Sequence, residues 1–125
     1  MKTITFCKLP IKTVSEANCS QHWTVKAKRH RLQKRWIKTV FLKERPQIEL
    51  PARVVITRIA PNELDIHDNL PMSLKYVVDA IAEQLTGNFV PGQADSDKRI
   101  SWIYCQKRGK PKEYAVNIEI IYEIN

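Results

Sequence analysis

The apolar residues of this chain change period twice between positions 53 and 120, and that change dictates the class of fold. Residues 53–59 (RVVITRI) are rich in β-branched side chains and bounded by Pro51 and Pro61, which predicts a strand. Residues 71–85 place Leu74, Val77, Val78, Ile81 and Leu85 on one helical stripe; Pro71 suits the first turn and Gly87 falls just past the end. Alternation then returns over 99–106, with Ile100, Trp102 and Tyr104 set against Ser101, Ile103 and Cys105. After the turn-forming KRGKPK at 107–112, Tyr114, Val116, Ile118 and Ile120 alternate into a last strand. Upstream, 3–9 suits a first strand stopped by Pro10, and 11–21, with Ser15, Asn18 and Ser20, reads as a loop. A helix follows that ends before Pro46, with Ser20 as its expected N-cap. The order predicts one α+β domain over residues 1–125: a small mixed β-sheet with a C-terminal antiparallel hairpin and two main helices packed against it.

At 125 residues the chain is long enough to bury roughly two thirds of its unfolded surface, and 43% hydrophobic residues are too many for a disordered tail or linker. No stretch approaches the roughly 20 apolar residues of a membrane span, and the N-terminus has no long apolar run of the kind that directs export. A cytoplasmic protein without a membrane partner is expected. Cys7, Cys19 and Cys105 are odd in number and scattered, which argues against a disulfide framework and against structural zinc.

The formal charge is +8, and its location is informative. Residues 21–45 hold Lys26, Lys28, Arg29, Arg31, Lys34, Arg35, Lys38, Lys43 and Arg45 against Glu44 alone, while the remainder of the chain is balanced. One predicted helix therefore carries the whole excess. Such a concentration attracts a polyanion, with an affinity that falls steeply with salt, and nucleic acid is the natural candidate. Lys26, Lys28, Arg29, Arg31, Lys34, Arg35 and Lys38 are the expected contacts; a solvated basic helix is the plainer alternative. Trp36 falls with Leu32, Ile37, Val40 and Phe41 at helical spacing and reads as core, leaving Trp23 as the aromatic side chain placed to stack on a base. His22 and His30 read as polar surface groups.

Acids cluster against this basic background. Asp65 and Asp68, with Asn69, lie between a strand and the start of a helix, and Asp95 and Asp97 lie on the next loop. Mg2+, or Mn2+ in its place, would reconcile such acids with a bound polyanion, since magnesium takes one or two carboxylates plus waters and phosphate oxygens. Lys75 and Asp79, four apart on the second helix, lie near the acidic loop. A lysine there can offset charge developing on a phosphoryl oxygen, or simply form a surface ion pair. The plain alternative for the acids is that they cap the helix and form turns. His67 reads as a solvated loop residue.

The ordered set Asp68-Asn69-Leu70, Lys75, Asp79-Ala80 and Asp97-Lys98-Arg99-Ile100 resembles the RusA-like Holliday junction endonucleases, over roughly residues 54–121. The first acid of that family's Asp-x-Asp would fall on Ile66, so Asp65 stands in for it one place earlier. The lysine also lies three residues further along than in the best-known member. The resemblance implies a homodimeric, magnesium-dependent endodeoxyribonuclease that nicks branched DNA in opposing pairs. It implies Asp65, Asp68 and Asp97 as metal ligands, Lys75 as the charge-stabilising group, Asn69, Asp79 and Asp95 in support, and no small-molecule cofactor. A branched-DNA-binding module without chemistry is the alternative, and an RNA-binding protein a more distant one.

Overall fold

The computed structural model describes residues 1–16 and 20–124 of the chain; Asn18 and Cys19 of the first loop lie outside the described residues. Four strands form one mixed sheet: β1 (Lys2–Leu9), β2 (Ala52–Ala60), β3 (Ile100–Arg108) and β4 (Ala115–Tyr122), in the order β1-β4-β2-β3. β4 is antiparallel to both β1 and β2, and β3 is parallel to β2. The expected C-terminal pair is thus present in direction and connection but not in hydrogen bonding. β3 and β4 run oppositely and are joined by a short turn, yet β2 is inserted between them and takes both ladders. The β-branched run of β2, with apolar residues on both faces, suits this central position.

One face of the sheet is buried. The register sets Phe6, Ile118, Ile56 and Tyr104 in one row across all four strands, and Ile4, Ile120, Val54 and Trp102 in the next. Three helices cover these rows: α1 (Trp23–Glu44), α2 (Asn69–Ser73) and α3 (Lys75–Thr86). The Phe41 ring of α1 meets Phe6 of β1 at 5.5 Å between centroids, while α3 packs against α1 and against a short 3₁₀ turn, Ala94–Ser96. The helix expected at 71–85 is therefore two pieces that break at Leu74, whose N–H reaches the Pro71 carbonyl in a tightened turn. Leu74 is itself fully buried, so the break preserves the apolar stripe.

α1 departs from expectation at its start and along its buried face. His22, not Ser20, is the N-cap: its Nδ1 accepts the Thr24 N–H at 3.2 Å. The helix closes at Arg45, in the left-handed region, whose N–H returns to the Phe41 carbonyl. Gln33, Ile37 and Phe41 are the buried stripe, whereas Leu32 and Trp36, expected in the core, are 46% and 39% exposed. The cause lies in the chain before the helix. Ile11 and Thr13 are buried, and the amide of Gln33 donates to the Lys12 carbonyl at 2.7 Å, so the polar residue faces inward to hold this segment. Arg58 of β2 anchors the same segment, donating to the Thr13 hydroxyl at 2.9 Å and to the Asn62 carbonyl at 2.7 Å. Its burial pulls the guanidinium pKa down.

Candidate active site and nucleic-acid interface

The loop before α2 is organised by Asp65. Its carboxylate accepts the backbone N–H of Asp68 at 2.8 Å and of Asn69 at 3.3 Å, and the Asn69 side-chain amide as well. These bonds, led by the one from Asp68, hold its pKa below the ordinary aspartate range. Asp65 is an Asx-type cap in an exposed turn, with both oxygens engaged. Asn69 is further tied to Ser15, whose hydroxyl lies 2.9 Å from its Oδ1. Asp68 is exposed at the start of α2, and its side chain makes no capping bond.

Asp97 is also engaged, by a different partner. Its Oδ1 accepts the backbone N–H of Arg99 at 2.9 Å, and its Oδ2 lies 2.8 Å from the Arg99 guanidinium. That fork lowers the carboxyl to about 2 and keeps it charged against the guanidinium at the entrance to β3. Asp65 and Asp97, expected as metal ligands with Asp68, are thus each bonded to a neighbour in their own loop. No group of three His, Cys, Asp or Glu side chains suited to a metal occurs among the described residues.

The acids that act on each other are Asp79 and Asp95. Asp79 lies half-buried on α3 and Asp95 on the 3₁₀ turn packed against that helix. Burial, and then the Asp95 charge, push the Asp79 carboxyl above its ordinary range, while Lys34 and Lys75 act in the opposite sense. Tyr104, reaching the same place from β3, is pushed up by burial and by both aspartates, so its phenol stays protonated at neutral pH. Neither Asp65 nor Asp68 is among the charges acting on Asp79. Tyr104 and Lys34 were missed as neighbours of an acid because nothing in local spacing joins α1, α3 and β3.

α1 lies along this cluster. Lys34 approaches Glu83 of α3 at 3.7 Å, and His30 stacks on Tyr76 with 3.6 Å between ring centroids. Arg31, Lys34, Arg35 and Lys38 line a groove of about 340 Å3 whose other wall is Ala80, Glu83 and Gln84 of α3. Of the expected phosphate contacts, Lys28, Arg31, Arg35 and Lys38 are exposed, and Lys26 and Lys34 are half-buried. Arg29 is also engaged within the chain. Its guanidinium makes a two-bond fork to Glu16 at 2.9 and 2.8 Å, in a site where its side chain is 9% exposed. Burial alone would raise Glu16, but Arg29 and His30 outweigh it and hold the carboxyl low.

Comparison with protein-family models and with curated proteins returns no match. No helix among the described residues is long and apolar enough to cross a membrane.

Proposed function

We propose that this chain is a magnesium-dependent endodeoxyribonuclease of the RusA-like kind, cutting branched DNA by paired nicks in recombination and repair. The observation that carries the reading is a cation-lined groove between α1 and α3, with Asp79 next to Ala80 of its far wall and under the charge of Asp95 on the 3₁₀ turn. Two carboxylates held close, one partly stripped of water, disfavour each other's charge, and a divalent cation removes that cost. Magnesium needs only one or two protein carboxylates when substrate phosphate completes its shell, so Asp79 and Asp95 fit it where Asp65 and Asp97, each already bonded, do not. The ion, or Mn2+ as a substitute, supplies an activated water and neutralises charge on the phosphoryl oxygen.

The chain's own groups have distinct tasks in this reading. Arg31, Arg35 and Lys38 hold the DNA backbone along the groove and fix the scissile phosphate near the acid pair. Water adds to phosphorus as the phosphodiester P–O bond breaks, and the leaving oxygen takes a proton. Lys75, one turn before Asp79, offsets negative charge in that step, and the protonated Tyr104 phenol is a hydrogen-bond donor beside it. Symmetric nicking of a four-way junction is most simply performed by a two-fold homodimer, working in the cytoplasm where unenclosed DNA lies.

The test is cleavage of a labelled four-way junction with Mg2+, Mn2+ or EDTA, beside a linear duplex and Asp79→Asn. Metal-dependent paired nicks that disappear in the variant are the expected result; an intact junction in both metals, with folded protein bound to it, would sink the nuclease reading. A second reading has its own support. The engagement of Asp65 and Asp97 in local bonds favours a branched-DNA-binding module without chemistry, which predicts salt-sensitive binding indifferent to metal and to Asp79→Asn.

A further inference from the structure

α1 carries another recess on the other flank of its buried stripe from the acid pair. It has a volume of about 300 Å3, and its walls include Pro10, Val25, Leu32 and Trp36, with Lys28 at the same site. Gln33 also lines it, and that residue is only 2% exposed. The Gln33 Nε2 is spent on the Lys12 carbonyl, which orients the amide, and the buried Oε1 has no hydrogen-bond partner among the described residues. A buried acceptor left without a donor is costly, and beside a cavity it marks where a ligand N–H belongs.

We propose that this recess captures one unstacked nucleobase of bound DNA, a step that rests on the DNA reading above. A base matches the three features together. Its planar faces suit the Trp36 indole and the aliphatic walls, its edge carries N–H donors for Gln33 Oε1, and its phosphate lies within the field of Lys28. Leu32 and Trp36, turned outward by the docking of the segment before the helix on Gln33, are then the surface on which the base rests. Branched DNA supplies such bases cheaply, since pairs at a branch are the least costly to open.

The experiment uses the full chain and a short single-stranded DNA carrying one 2-aminopurine, compared with the same strand made abasic and with a continuous duplex. The intact strand is expected to bind at least about fivefold more tightly than the abasic one, with quenching of the aminopurine. Trp36→Ala should remove both effects and Trp36→Phe restore them, while duplex binding keeps its salt slope and so reports an intact fold. Gln33→Met, which keeps the volume but removes the acceptor together with the bond to Lys12, should lower the intact-to-abasic ratio while duplex binding is retained. Equal affinity of wild-type protein for intact and abasic strands, with duplex binding retained, overturns the pocket and leaves the DNA reading standing. Failure to bind any DNA at low salt overturns both. A matched RNA strand preferred over DNA overturns the assignment of the base to DNA.

Discussion

Asp97 and Asp79 stand on neighbouring elements and have opposite fates. Asp97 at the mouth of β3 meets a guanidinium two residues away and is held charged, with its carboxyl lowered to about 2. Asp79 is half-buried on α3, and burial, with the charge of Asp95 on the adjoining 3₁₀ turn, disfavours its charged form. The first is a finished local structure, complete without any ligand. The second is an arrangement whose electrostatic cost a cation would relieve, and the difference separates an acid that shapes a turn from one that can hold chemistry.

The largest test of this contrast is cleavage. Asp79→Asn and Asp95→Asn should each lower metal-dependent junction cleavage by about 100-fold or more, because the loss of a metal-holding group forfeits several kcal/mol of charge stabilisation. Asp97→Asn should leave most activity, and the reverse ranking would invert the comparison. Next in size is binding: replacing Arg35 and Lys38 together by Ala should weaken junction affinity about tenfold and reduce the salt slope by roughly 2 in binding titrations. Arg29→Ala should leave that slope in place and lower the melting temperature instead, through loss of its fork to Glu16.

Thermal melts give a smaller effect. Millimolar Mg2+ should raise the melting temperature of the wild-type protein by a few degrees and that of Asp79→Asn not at all. Because the folded-state pKa of Asp79 is raised, its contribution to stability is complete below the unfolded value and declines as pH rises through the folded one. Asp79→Asn should therefore melt higher than wild type at neutral pH without metal. The smallest effect is acid sensitivity at Asp97. Its lowered pKa adds stability that is present above the ordinary value of 3.8 and lost as pH falls toward about 2, so Arg99→Ala should slightly lower the melting temperature above that window and flatten its pH dependence within it.

Much of the fold was legible because it is written in local periods. The strands at 52–60, 100–108 and 115–122, and the apolar stripe through Leu74, Val77 and Ile81, follow directly from alternation and helical spacing. The reading of Trp36 as core failed, and the partner of Arg29 stayed hidden, because a distant segment intervened. Trp36 has helical spacing suited to a core, but the 11–16 segment docks against Gln33 and turns the buried stripe aside. Arg29 looks like any cation of the basic helix until Glu16 folds onto it.

The amino-acid sequence by itself determined the element types, the single buried sheet face and the concentration of positive charge on α1, since each is a property of residues a few positions apart. Tertiary structure alone decided that β2 separates β3 from β4, that Asp79, Asp95 and Tyr104 act on one another's charge, and that Asp65 and Asp97 are bonded locally. The reason is physical. Periodicity records which way a side chain faces, whereas the charge it meets there depends on which elements the packing of the core brings together.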